Sequence, residues 1–262
     1  TRAVCEGTKE PECRILFPGT YDRPDAVYQI VENAPEPLGS TMKDLIERRL
    51  ADPTLPMEEA FSQQLKEEKL ELPAGQFALF MNSMYAVDAY VRDYFRKAVL
   101  DALLAEKLPV TVFGEGWEKY SCGDEHSLRR EPAVPFALSF ERIAKAHVLL
   151  NVSPIFNRGM HDRVPAGMAN HAVVLTDENP YLRRTFTDGK ELLFYSLEKP
   201  DTLCEQAERA LTDVRLREKI AASAYETFER EYTWKRRAEQ ILAFAEEELF
   251  DAWQALCGEV EA

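Results

Sequence analysis

Between Asn157 and Val164 the chain reads Asn-Arg-Gly-Met-His-Asp-Arg-Val, its densest polar cluster, set between a branched apolar run and the apolar residues Val164, Met168 and Ala169 of a predicted helix. Arg158, His161 and Arg163 at a helix start can neutralise a diphosphate through charge-assisted hydrogen bonds, with the positive end of the helix dipole adding to the effect. A loop tied down by an ion pair between Asp162 and an arginine accounts for the same residue types. Metal binding through His161 and Asp162 needs at least one more ligand, and the sequence points to none. A second stretch, Gly114-Glu115-Gly116-Trp117, allows close backbone approach to a phosphate, and equally allows a plain tight turn. The third glycine of a dinucleotide fingerprint falls on Lys119, which argues against a nicotinamide or flavin dinucleotide. Arg92 and Arg96 share one face of a helix, with Asp88 placed to pair with Arg92, and read as a solvated charged stripe.

These residues need elements to hold them. Ile15-Leu16-Phe17, Val110-Thr111-Val112-Phe113, Val148-Leu149-Leu150-Asn151-Val152 and Ala172-Val173-Val174-Leu175 are short, rich in branched residues and followed by turn residues, the pattern of parallel strands buried on both faces. Leu192-Leu193-Phe194-Tyr195 predicts a fifth. Ser139 is a candidate helix N-cap before the third run, and Asn179-Pro180 predicts an N-cap followed by proline at the first helical position. Alternating strands and helices imply an α/β, Rossmann-like doubly wound parallel sheet. Helical spacing at Leu45 and Leu50, at Phe61 and Leu65, and from Val87 to Leu103 predicts a helical insertion over about residues 41–106. C-terminal helices are expected over about 200–258, the last capped by Thr233. The count is therefore one domain over 13–262, preceded by a linker remnant at 1–12. In such a sheet ligands bind beyond the carboxyl ends of the strands, where the two polar stretches fall.

Composition narrows the classes further. The chain has 262 residues, 45% hydrophobic and 30% charged, which suits a globular protein and not a disordered or fibrous one. Its 46 acidic residues against 32 basic ones give a net charge of −14, which disfavours nucleic acid and anionic lipid as partners. No apolar stretch is long enough to span a membrane, and the five scattered cysteines suggest neither a disulfide framework nor a zinc site, so a cytoplasmic protein is expected. No D-x-D pair is present to hold a metal against a diphosphate, and no G-x-S-x-G nucleophile turn.

Val110 to Trp117, Ala146 to Val152, Gly159 to Val164, Met168 to Asp177 and Phe186 to Tyr195, with Trp234 before the last long helix, resemble bacterial group 1 glycosyltransferases of the spore-maturation-protein-like type. The resemblance runs from about Ile15 to Leu242. It implies the donor-binding C-terminal half of a B-type glycosyltransferase, whose N-terminal Rossmann-like domain lies elsewhere. The implied substrate is a nucleoside diphosphate sugar, the acceptor is open, and no metal or other cofactor is expected. Catalytic roles then fall on Arg158, His161 and Arg163. Donor contacts fall on Gly19, Thr20 and Tyr21 after the first strand, on Gly114, Gly116 and Trp117 near the base or ribose, and on Asn157, Gly159 and Asn179. The sequence departs from the family in two places. The acidic pair common in retaining relatives falls on Arg158 and Ala166, and His171 replaces the small residue usual before the fourth strand. Loss of the acidic pair keeps a second reading open, a non-catalytic nucleotide-sugar-binding or assembly protein on the same fold.

Overall fold

A computed structural model describes residues 13–260, with side chains described to residue 250. The linker reading of residues 1–12 lies outside the described residues. Six strands form one parallel sheet: β1 (Cys13–Pro18), β2 (Val110–Phe113), β3 (Leu128–Glu131), β4 (Ala146–Asn151), β5 (Val173–Asp177) and β6 (Leu193–Tyr195). Their spatial order is β3-β2-β1-β4-β5-β6, the doubly wound Rossmann-like arrangement, with the change of direction between β1 and β4. Register is fixed by apolar pairs such as Ile15 with Val110, and Leu16 with Leu149.

Strands β1, β2, β4 and β5 read as largely apolar runs because both faces are covered. Ile15, Phe17, Val148, Leu150, Val173 and Leu175 face one core. The residues between them face the other side, where Val174 and Phe194 form one cluster and Leu16 and Leu149 another. This alternation is the period-two geometry of a strand applied to a sheet with helices on both sides.

Five helices fill the connection from β1 to β2: α1 (Pro24–Glu32), α2 (Leu38–Ala51), α3 (Met57–Glu67), α4 (Ala74–Ser83) and α5 (Tyr85–Ala105). The helical region thus begins at Pro24, ahead of the predicted boundary, because Pro24 supplies a helix start at its first turn. Helix α5 lies on the sheet through Val99, Leu100 and Leu103. On the other side are α6 (Phe136–Ile143), α7 (Arg163–Ala169) and α8 (Pro180–Thr185), and the chain closes with α9 (Pro200–Thr212), α10 (Val214–Glu231) and α11 (Trp234–Val260).

The helix starts differ in how well the sequence foretold them. Asn179 caps α8, its side chain accepting the Leu182 N–H at 2.8 Å. The Thr233 hydroxyl accepts the Arg236 N–H at 3.3 Å at the head of α11. Ser139, in contrast, is inside α6: the helix starts after Pro135, and the Ser139 hydroxyl bonds back to the Phe136 carbonyl at 2.6 Å. His171 closes α7 in the left-handed region at φ 57°, its ring stacked on Tyr225 with centroids 4.2 Å apart.

Candidate functional site

A cavity of about 1000 Å³ opens beyond the ends of β1, β2 and β3, against the last part of the loop that joins β4 to α7. Two arginines from distant parts of the chain meet at its base. Arg96 comes from α5 and Arg163 from the first residue of α7, and their guanidinium carbons lie 5.8 and 5.7 Å from the centroid of the same Phe17 ring. Both side chains are buried.

Their partners leave positive charge unanswered. Arg163 donates to the Asn151 side-chain oxygen at 2.6 Å and lies 3.1 Å from His161 Nε2. Arg96 donates to the Thr20 carbonyl, and its Nε is buried with no partner. Among the described residues the only carboxylate within ion-pair distance of either is Asp93, 3.8 Å from Arg96, and Arg92 already holds it at 2.7 Å. Burial, with the neighbouring Arg163 and Arg92 charges, pulls Arg96 down to about 9 from 12.5. Burial likewise pulls Arg163 down to about 10. Two like charges over one ring in a poorly solvated base form a site that an anion would relieve.

His161 extends the arrangement. A guanidinium only donates, so His161 Nε2 accepts from Arg163, while Nδ1 lies 2.5 Å from Asp162 Oδ1 and 3.2 Å from the Arg163 backbone nitrogen. Burial keeps the imidazole below its ordinary pKa and therefore neutral near pH 7, and the His161 bond holds Asp162 below the usual carboxylate range. Beneath them Asp177 ends β5, accepts the Ser153 N–H at 2.9 Å, and is pushed up to about 7 by burial.

The upper wall of the cavity is apolar and aromatic, with Val134, Phe136, Phe140, Tyr232 and Trp234 among its residues. Ala166, one of the two positions on which the resemblance places an acidic pair, also lines the cavity, so that part of the wall is apolar.

Of the catalytic and donor-binding residues expected from the resemblance, Gly19, Thr20, Gly114, His161 and Arg163 line this cavity. The others stand elsewhere. Arg158 is exposed and forms an ion pair with Glu59 of α3. Trp117 is buried, donates from Nε1 to the Gly19 carbonyl at 2.7 Å, and is stacked on Tyr21 at 5.2 Å, so its ring and that of Tyr21 are occupied within the core. Gly114 and Gly116 serve an interlock of two turns: a Cβ at either would fall 2.0 Å from the Gly19 carbonyl oxygen or 1.9 Å from that of Tyr21. Asn157 is buried and bonds the Pro53 and Pro154 carbonyls, and Asn179 bonds those of Phe156 and Gly159, bracing the loop from within. Helix α7 has seven residues and its N-cap Asp162 makes no capping bond, so the anion site rests on side chains instead of the helix dipole.

The sequence reading missed Arg96. Asp88 pairs with Arg49 and not with Arg92, and Arg96 turns inward. The available signal was the position of Asp93 and Arg96 in the apolar stripe that holds Ala89, Leu100 and Leu103, where a charged pair at i and i+3 marks burial.

Among the described residues no three His, Cys, Asp or Glu side chains gather as metal ligands, and no helix is long and apolar enough to cross a membrane. The described cysteines Cys13, Cys122 and Cys204 form no disulfide.

No curated protein matches the sequence. Among solved structures, the chain is similar to HepE of Anabaena in complex with UDP-glucose, with a TM-score of 0.49 and 11% identity over 59% of this chain and 44% of that one. It is similar to a variant of TarM from S. aureus bound to Fondaparinux, alpha-GlcNAc-glycerol and UDP, with a TM-score of 0.47 and 11% identity over 58% of this chain and 32% of that one. The C-terminal domain of a group 1 glycosyl transferase family protein from Francisella tularensis gives a TM-score of 0.42 and 12% identity over 55% of this chain and 80% of that one. The chain thus spans less than half the length of the first two. A family model described as glycosyl transferase-like matches residues 92–243, more than half of the chain. That span holds Arg96, Arg163 and every other cavity-lining residue except Pro18, Gly19 and Thr20, and by this match the chain belongs to the glycosyl transferase-like family.

Proposed function

We propose that the cavity binds a nucleoside diphosphate sugar and that the chain is the donor-binding half of a B-type glycosyltransferase, passing the sugar to an acceptor presented by another domain. The observation that carries this reading is the pair of buried guanidiniums, Arg96 and Arg163, over Phe17 with no full counter-charge. Breaking the bond between sugar and diphosphate leaves growing negative charge on the departing phosphate oxygens. Donors fixed in advance at that place stabilise the transition state more than the ground state. Arg163 and Arg96 are so fixed, Arg163 by Asn151 and His161, Arg96 by the Thr20 carbonyl. With two guanidiniums supplying the charge, the reading calls for no metal. The apolar wall around Val134 and Phe136 suits a base, whereas Trp117 has its faces covered.

Isothermal titration with UDP and GDP tests the donor site. Binding of one of them, weakened by about 1.5–3 kcal/mol in Arg163→Ala and unchanged in Arg158→Gln, is the expected result. No heat from either nucleotide with the unaltered chain overturns it.

The apolar wall at Ala166 favours the second reading, a protein that keeps the donor without transferring sugar. Release of free sugar or its transfer separates the two: a full-length protein, with the acceptor-presenting domain, that binds donor and neither transfers nor hydrolyses sugar supports the binding role.

A further inference from the structure

We propose that Arg49 is a positioning residue for the anion site, fixing the loop between β4 and α7 so that it presents His161 and Arg163; the inference rests on the donor-site reading above. Arg49 lies in α2, within the helical region between β1 and β2, and its side chain is 2% exposed. Its Nη1 pairs with Asp88 Oδ1 of α5 at 2.5 Å. A role confined to joining α2 to α5 is complete with that bond. The second nitrogen instead reaches the Pro154 carbonyl at 3.3 Å, in the loop that follows β4.

The same carbonyl receives Asn157 Nδ2 at 3.0 Å, and that amide also donates to Pro53, just beyond α2, at 2.8 Å. The helical region therefore grips the loop at Pro154 directly and through Asn157. From there the contacts run to the site: the Phe156 ring meets the His161 imidazole edge-on with centroids 5.2 Å apart, and His161 Nε2 holds Arg163. The ends of the loop have their own anchors, Ser153 on Asp177 and Arg163 on Asn151, whereas its middle is held from within by Arg49, Asn157 and Asn179 and at the surface by the Arg158–Glu59 pair.

Arg49 Nε is buried with no partner. An apolar side chain would fill the space between α2 and α5 without that penalty, so the guanidinium answers a need at Pro154.

Two variants separate positioning from packing, each followed by UDP titration and thermal melting. In Arg49→Lys the ammonium still pairs with Asp88 but has no fork to reach Pro154 at the same time. It should melt close to the unaltered chain and bind UDP roughly three- to tenfold more weakly, the size of one hydrogen bond. In Asp88→Asn the fork to Pro154 remains, so melting falls while UDP affinity holds. UDP affinity unchanged in Arg49→Lys, affinity and melting falling together in both variants, or an Arg49→Lys chain that does not fold each overturns the proposal. Binding of neither UDP nor GDP by the unaltered chain overturns the donor-site reading, and with it this inference; where GDP alone binds, it replaces UDP in both titrations.

Discussion

Replacing Arg96 by methionine should stabilise the empty protein and weaken its hold on a diphosphate, two effects of opposite sign from one side chain. Burial and the Arg163 and Arg92 charges lower Arg96 from 12.5 to about 9. At about 1.4 kcal/mol per pKa unit, holding the charged form in the fold costs up to roughly 5 kcal/mol. A base with a depressed folded pKa incurs that cost at every pH below about 9, so the cost is fully present at pH 7. Methionine removes it, but forfeits the bond to the Thr20 carbonyl, the attraction of Asp93 being already contained in the lowered pKa. A net gain of about 1–3 kcal/mol remains, read as a rise of about 2–4 °C in melting temperature per kcal/mol. A bound diphosphate meanwhile loses a charge-assisted hydrogen bond of about 1.5–3 kcal/mol, roughly a ten- to hundredfold rise in Kd. Calorimetric melting without ligand and UDP titration read the two effects separately. A variant that melts lower than the unaltered chain and binds UDP equally well refutes the account of Arg96 as a strained anion ligand.

Two further perturbations address the supporting shell. Asp177 is raised from 3.8 to about 7, so the fold favours its protonated form and the protein should lose stability as pH rises from about 4 to about 7, then level off. In Asp177→Asn the amide oxygen still accepts the Ser153 N–H, and melting followed across that range should lack this slope. In Gly114→Ala the new methyl falls 2.0 Å from the Gly19 carbonyl oxygen at φ 133°, and urea denaturation should show a loss of about 2–4 kcal/mol.

Strands were the most legible part of the sequence, since a parallel sheet covered on both faces leaves unbroken branched runs at β1, β2, β4 and β5. Strand β3, Leu-Arg-Arg-Glu at the sheet edge with Leu128 alone buried, offers no such run and was missed. Helices α1 and α4 escaped for different reasons. Helix α1 buries only Val27 and Val31, and α4 buries nothing fully, so neither shows a long apolar stripe. At the site, His161 and Arg163 were legible as a polar cluster next to a strand end. Arg96 was not, because periodicity reports which face a residue shares and not that a charge on it turns inward. For Trp117 the resemblance implies a place near the base or ribose, whereas in the structure its indole N–H ties the turn after β1.

The contacts that build the anion site close very long loops. Thr20 to Arg96 spans 76 residues, and Arg49 to Pro154 spans 105. Bringing such distant segments together costs chain entropy before any contact rewards it, and non-local contacts slow folding. Helical signal should therefore return early in refolding, from α5 and α10, while nucleotide uptake returns only when the last segments dock. Competence to bind becomes a stricter measure of the native state than secondary structure, and a chain that regains its circular dichroism without binding has stopped short of the fold.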